Sequence, residues 1–221
     1  MVAAEARELA GFAPQLSARR RLPLPIGFAE EGELGGRRWL LAANGAGPRL
    51  AAAAVRAFAK PDRIVSTGYC GALDPALKLS DVVICSRVVE ADTNRHFETA
   101  DEFGATCLSG DRVIQTGREK QLLRQTTGAS IVEMEAAGVA AEAESMGVPF
   151  HCIRVVTDTA GEDMRVDFNS ARDEQGRFRL SQIAKAALRH PFERIPELLK
   201  LNRRAQAATA RLGEYLGKHA F

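Results

Sequence analysis

Short apolar runs, each closed by a turn of small residues, alternate with stretches of helical period along the middle of the chain. The run Trp39–Ala43 ends in "NGAG". "RLAAAAVRAF" follows and sets Leu50, Ala54, Val55 and Phe58 on one face of a helix. "KPD" ends it, because the residue before Pro61 is pushed out of helical backbone. Ile64–Ser66 is a second buried strand and runs into "TGYCG". The pattern is a β-α-β unit with glycines at the C-terminal ends of both strands.

The same reading extends downstream. "KLSDVVICSRVV" is a strand rich in β-branched residues, the polar stretch from Glu90 to Thr106 reads as loop, and "CLSGDRVI" as a short strand and turn. "REKQLLRQTTG" is a helix stopped by Gly128; "ASIVEME" is a strand. "AAGVAAEAESMG" is a helix carrying Val139, Ala140, Ala143 and Met146 at helical spacing, with Gly147 as its stop. "VPFHCIRVV" is the last core strand and leads into "TDTAGED". The opening "MVAAEARELAGF" shows no strand. In open α/β sheets ligands gather at the C-terminal ends of strands. Those ends are Asn44–Gly47, Thr67–Gly71, Glu133–Glu135 and Thr157–Asp158, which together define one candidate pocket.

Composition narrows the class. The 221 residues suit one domain, expected as 1–221 with a helical tail from about 177. Hydrophobic content of 46%, charged content of 26% and a net charge of +2 give an ordinary globular balance and no reason to expect nucleic acid. Cys70, Cys85, Cys107 and Cys152 lack C-x-x-C spacing and are expected reduced and buried, in a cytoplasmic protein. His96, His151, His190 and His219 have no metal spacing, so no metal site is expected. No apolar run is long enough to span a membrane, no secretory leader pattern opens the chain, and no G-x-G-x-x-G dinucleotide fingerprint occurs.

Two acids stand out, each with two readings. Asp158 directly follows a buried strand, so it is either a turn or cap aspartate or a desolvated carboxyl able to act as a general acid. Glu133 and Glu135 flank Met134 at a helix start. They either complement the helix dipole, or Glu135 grips a diol over an apolar floor made by Met134. The glycine loops let backbone approach a ligand or merely turn the chain. Trp39 is expected to pack rather than to stack on a ligand.

In combination these stretches resemble a family. "IVEMEAAGVAAEAESMGVPFHCIRVVTDTA" and "KPDRIVSTGYCGALDPALKLSDVVI", with "SGD" at Ser109–Asp111, are similar to the signatures of the nucleoside phosphorylase/nucleosidase superfamily, which includes the methylthioadenosine/S-adenosylhomocysteine nucleosidases. The resemblance implies a three-layer α/β/α domain with a mixed, mostly parallel central sheet. It implies cleavage of the N-glycosidic bond of an adenine nucleoside, with no cofactor beyond phosphate as co-substrate in a phosphorylase. Asp158 then protonates the base at N7 beside Thr157, Glu135 binds ribose hydroxyls with Met134 against the sugar, and Glu133 neighbours them. Val113 and Ile114 line the base pocket, and Thr67, Gly68 and Gly71 face the sugar. Glu5 is the candidate water activator, with Glu8 as the alternative.

The chain also departs from the family pattern. The buried strand expected ahead of the catalytic glutamate is missing. Either the recorded start lies downstream of the true one, or the protein manages without it; a catalytically inactive nucleoside binder is the rival reading. Ser66 stands where phosphorylases carry a phosphate-binding arginine. Gly45, Gly47, Arg49 and Ser66 form the phosphate or water side, and hydrolysis is preferred to phosphorolysis. The stretch from Asp173 to Lys218 resembles the C-terminal region of hopanoid-associated phosphorylase-like proteins, implicated in removing adenine from adenosylhopane. Its apolar positions and basic face suit either packing on the domain or contact with a membrane or lipid substrate. A homodimer or larger homo-oligomer is expected from the resemblance.

Overall fold

The computed structural model describes residues 1–164, 166–171 and 191–219. Its elements run β1 (Val2–Ala3), β2 (Ser17–Arg21), β3 (Phe28–Leu34), β4 (Arg37–Ala43), α1 (Pro48–Arg56), β5 (Ile64–Ala72), β6 (Val82–Glu90), β7 (His96–Glu98) and β8 (Ala105–Ser109). α2 (Gly117–Thr127), β9 (Ile131–Glu133), α3 (Ala136–Met146), β10 (Phe150–Asp158) and a long C-terminal helix, α4 (Pro191–Lys218), complete the order. The expected tail is thus helical from Pro191; its residues 177–190, with His190, and 220–221 lie outside the described residues.

The strands join in the order β10-β6-β8-β9-β5-β1-β4-β3-β2, with β7 added to β6 and a further pairing of β10 with β5. Parallel pairings run through the centre (β10–β5, β5–β1, β1–β4, β6–β8, β8–β9), and the outlying β2, β3 and β7 add antiparallel. Two antiparallel pairings, β10–β6 and β5–β9, make the sheet mixed within its centre as well.

Period-two alternation splits the strand residues between two cores. Ile64, Cys152 and Val156 pack with Ala54 and Val55 of α1 and Val139 and Ala143 of α3. Val65, Ile153 and Val155 face the other way, against Leu9, Phe12, Trp39 and Leu212 and Leu216 of α4. Sheet between two helical faces is the three-layer α/β/α arrangement expected from the resemblance. Trp39 does pack, edge-on to Phe12 with ring centroids 5.2 Å apart. Gly138 lets α3 meet α1: a Cβ there would lie 2.0 Å from the Pro48 carbonyl oxygen.

The structure corrects two expectations. A first strand is present: Val2 and Ala3, both buried, pair in parallel with Ala42 and Ala43 of β4, and Val2 with Ser66 of β5. No edge is left open between β4 and β5, which removes the ground for the inactive-binder reading. The stretch read as loop from Glu90 to Thr106 contains β7, whose buried Phe97 lies opposite Val88.

Candidate active site

The C-terminal ends of β5, β9 and β10 converge with the 3₁₀ turn Ala6–Leu9, the Arg112–Ile114 loop and α4 around a cavity of about 460 Å³. Its floor is a buried charge cluster organised by Arg154, a fully buried residue of β10 that the sequence did not single out. Arg154 Nη2 meets Glu133 and donates to Ser66 Oγ at 2.7 Å, while Nη1 donates to the Thr67 carbonyl at 3.1 Å and lies 3.4 Å from Glu135 Oε2. A buried cation of this kind is tolerated only with such partners.

The two glutamates of "EME" divide the roles that the sequence left open. Glu133 is the cap: its carboxylate accepts from Glu135 N at 2.9 Å and from Ala136 N at 2.9 Å, satisfying free amides at the start of α3. Glu135 is not used as a cap. Its Oε1 accepts from Gly47 N at 3.1 Å, and burial, followed by the neighbouring Glu133 charge, pushes its carboxyl up to about 8. Met134 packs with Ala4, Ala46 and Val113 as an apolar wall.

Two further carboxyls face the cavity from different points along the second half of β5. Glu8 is buried; its Oε2 accepts from Ala4 N at 2.9 Å and Glu5 N at 3.0 Å, and its Oε1 from Tyr69 N at 3.3 Å. Burial raises its proton affinity, and those amides and Arg154 hold it down in part. Gly68, at φ +135°, admits this approach: a Cβ there would lie 2.9 Å from Glu8 Oε2 and 3.2 Å from Arg154 Nη1. Asp158 sits against Gly71 instead, where a Cβ would lie 2.8 Å from Oδ2. It is buried, and burial raises its carboxyl above the usual range against the pull of Lys120. Lys120 is fully buried, with Nζ 2.5 Å from Asp158 Oδ2. Gly68 and Gly71 are three residues apart, about 10 Å of strand.

Not every expected residue is gathered here. Glu5 reaches the cavity rim but pairs with Arg7 at 2.6 Å and keeps a third of its side chain exposed. Val113, Ile114 and Thr157 line the cavity, and Asn169 clamps Val113 by accepting from its N–H and donating to its carbonyl, both at 2.9 Å. Thr67 and Ser66 lie beneath the cavity as partners of Arg154. Gly45 docks on the Ala4 carbonyl, and Gly47 acts through its bond to Glu135. Arg49 is exposed on the first turn of α1 and does not line the cavity, so the expected phosphate side is not assembled from Arg49 and Ser66.

The cavity's outer end is apolar. Met164, Phe168 and α4 residues Leu198, Leu201 and Ala205 form it, and Tyr69 ties it to the sheet through Thr209 at 2.6 Å. Away from the cavity, three cysteines without metal spacing in the sequence come together in space. Cys85, Cys107 and Cys152 come from the neighbouring strands β6, β8 and β10, and their sulfurs lie within 4.8 Å of one another, a set able to hold a soft metal. All four cysteines are free and buried, as expected.

The sequence and the fold match a known family. The phosphorylase superfamily matches residues 3–105 and 101–189. A 5′-methylthioadenosine/S-adenosylhomocysteine nucleosidase of Mycobacterium tuberculosis is 28% identical over 212 residues, covering 70% of this chain and 82% of that protein. Among solved structures, the Neisseria meningitidis nucleosidase of the same name, in complex with methylthio-immucillin-A, superposes with a TM-score of 0.73 at 22% identity, covering 98% of this chain and 95% of that one. Futalosine hydrolase of Helicobacter pylori superposes with a TM-score of 0.73 at 15% identity, covering 97% and 93%. The chain belongs to the nucleoside phosphorylase/nucleosidase superfamily. It is an enzyme of that superfamily.

Proposed function

We propose that the protein hydrolyses the N-glycosidic bond of an adenine nucleoside. One observation carries this reading: two buried carboxyls, Glu8 and Asp158, face one cavity about 10 Å of strand apart, with Glu135 anchored at the same floor. Cleavage builds positive charge on the sugar and negative charge on the departing purine. Asp158, whose proton affinity is raised by burial, gives its proton to N7. Glu8 orients water and takes its proton, and Glu135 and Met134 hold the ribose. Glu8 replaces Glu5 as the water activator in this reading, because backbone amides fix Glu8 in the cavity while Glu5 is engaged by Arg7 at the rim. Val113 and Ile114 flank the base.

Water is favoured over phosphate by the pairing of the nearby cations. Arg7 and Arg112 line the cavity but engage Glu5 and Glu119, and Arg154 is taken up by Glu133 and Glu135. A phosphate beside Glu8 would meet like charge. The apolar outer end supports a nucleoside with an apolar 5′ substituent, of the methylthioadenosine or adenosylhopane kind, in line with the tail's resemblance to the hopanoid-associated proteins. No described helix is long and apolar enough to cross a membrane. Ile195 and Leu199, exposed one turn apart on α4, support entry of a lipid-like substrate from a surface. A homodimer and a cytoplasmic location complete the proposal; sedimentation tests the first.

The test is adenine release from methylthioadenosine, adenosylhomocysteine and adenosylhopane, with and without phosphate. Release independent of phosphate and lost in Asp158→Asn supports the proposal. Release that requires phosphate overturns hydrolysis.

A further inference from the structure

Lys120 is the one buried residue of α2, and its side chain points under the site instead of into solvent. Its Nζ has three acceptors: Asp158 Oδ2 at 2.5 Å, the Thr159 carbonyl at 2.8 Å and the Glu162 carbonyl at 3.3 Å. Three acceptors match the three N–H donors of an ammonium. A charged group in a fully buried position is expensive unless it finds hydrogen-bond acceptors or an opposite charge, and here one acceptor is the carboxyl assigned to protonate the purine. Lys120 takes one carboxylate oxygen, while Thr157 Oγ1 lies 3.1 Å from Oδ1.

We propose that Lys120 is a positioning residue that sets the proton affinity of Asp158 and stabilises the carboxylate formed when Asp158 gives up its proton. The proposal rests on the reading of Asp158 as the base-side acid. In that step the C1′–N9 bond breaks with its electron pair going to the purine. The Asp158 O–H bond breaks and an N7–H bond forms. Water oxygen bonds to C1′, and the proton it loses passes to the Glu8 carboxylate. Asp158 thus turns from neutral to anionic as the barrier is crossed, and a fixed ammonium at its oxygen favours the anionic state selectively. Without Lys120, burial would raise the proton affinity of the carboxyl further and slow its release of the proton.

The other groups around Asp158 do not supply this charge. Cys70 on β5 is a thiol pushed well up by burial. Glu162, following β10, opposes ionisation of Asp158 and is itself engaged by Arg204 at 2.7 Å and Lys200 at 3.6 Å, both of α4. Lys120 is the cation in direct contact.

The test is a carbon-13 NMR titration of protein labelled at the aspartate carboxyls, with Asp158→Asn used to assign the signal. Wild type is compared with Lys120→Met, Lys120→Gln and Lys120→Arg. The Asp158 midpoint is expected to rise by about one pH unit or more in the two neutral variants and to stay near wild type in Lys120→Arg. In the same variants the basic limb of the kcat profile moves to higher pH, and kcat falls on the order of 10²-fold. An Asp158 midpoint unchanged in Lys120→Met and Lys120→Gln overturns the proposal and leaves Lys120 as a brace for the Thr159–Glu162 turn. A shifted midpoint in a protein that cleaves no adenine nucleoside would uphold the hold of Lys120 on Asp158 while refuting the function proposed for the site.

Discussion

Replacing Gly68 by alanine perturbs the site through a single methyl group. That methyl would sit 2.9 Å from Glu8 Oε2, 3.1 Å from its Cδ and 3.2 Å from Arg154 Nη1, all closer than ordinary contact. The backbone φ of +135° adds strain of about 1–3 kcal/mol for any L side chain. Arg154 is fixed by Glu133, Ser66 and Thr67, so Glu8 is the group that gives way. Its bond from Tyr69 N, already 3.3 Å, is the first to be lost. Moving a water-orienting carboxylate by about 1 Å costs on the order of 10²-fold in rate. The assay is adenine release at saturating substrate, set beside the thermal midpoint. Gly35→Ala is the control: Gly35 has φ +61° with nothing within 4 Å, so it reports strain alone. Gly68→Ala is expected to lose activity out of proportion to stability, while Gly35→Ala loses only stability. Gly68→Ala with activity within a few-fold of wild type would refute the packing of Glu8 against this strand and its role.

Other predictions follow from the same geometry. Glu8→Gln should slow adenine release by about 10²–10⁴-fold, whereas Glu5→Gln should change it only a few-fold; the reverse order in kcat would return the role to Glu5. Glu135 has a folded-state carboxyl raised from 4.5 to about 8, so its contribution to stability is full below about pH 4.5 and is lost as pH rises through about 8. Urea unfolding at pH 5 and pH 8 should therefore show Glu135→Gln gaining stability relative to wild type at the higher pH, and an equal difference at both would contradict the buried state of Glu135. Gly138→Ala forces a methyl to within 2.0 Å of the Pro48 carbonyl oxygen, and should destabilise the fold by about 1–3 kcal/mol in chemical denaturation.

The elements legible in the sequence were those whose apolar residues repeat over a long enough window. β5, β10, α1 and α3 carry buried runs or helical stripes, and Gly128 and Gly147 end α2 and α3 in left-handed backbone as their positions suggested. β1 escaped because two residues show no period. β2 escaped for a different reason. It is an edge strand exposed at every position, held to β3 by charged pairs such as Arg20 Nε to Glu31 at 3.0 Å, so alternation has nothing to report.

At the site, Asp158 and Glu135 were marked by place, Asp158 at the end of a strand and Glu135 where a strand passes into a helix. Glu133 could not be told from Glu135 by spacing alone, because the difference lies in which carboxylate turns back to the α3 amides. Arg154 and Lys120 left no mark in one dimension: an arginine in a buried strand and a lysine in a charged helix reveal themselves only when their partners are seen. The cysteine cluster is of the same kind, assembled across strands from positions far apart in the chain.

In the proposed reaction water, not phosphate, attacks the sugar while Asp158 protonates the base. This is tested most directly by incubating the protein with methylthioadenosine and adenosylhopane in oxygen-18 water containing phosphate, and weighing the sugar product by mass spectrometry. Hydrolysis gives free adenine and a ribose product carrying one oxygen-18 atom, and neither product forms with Asp158→Asn. A ribose 1-phosphate, or adenine release that survives Asp158→Asn, would contradict this reaction.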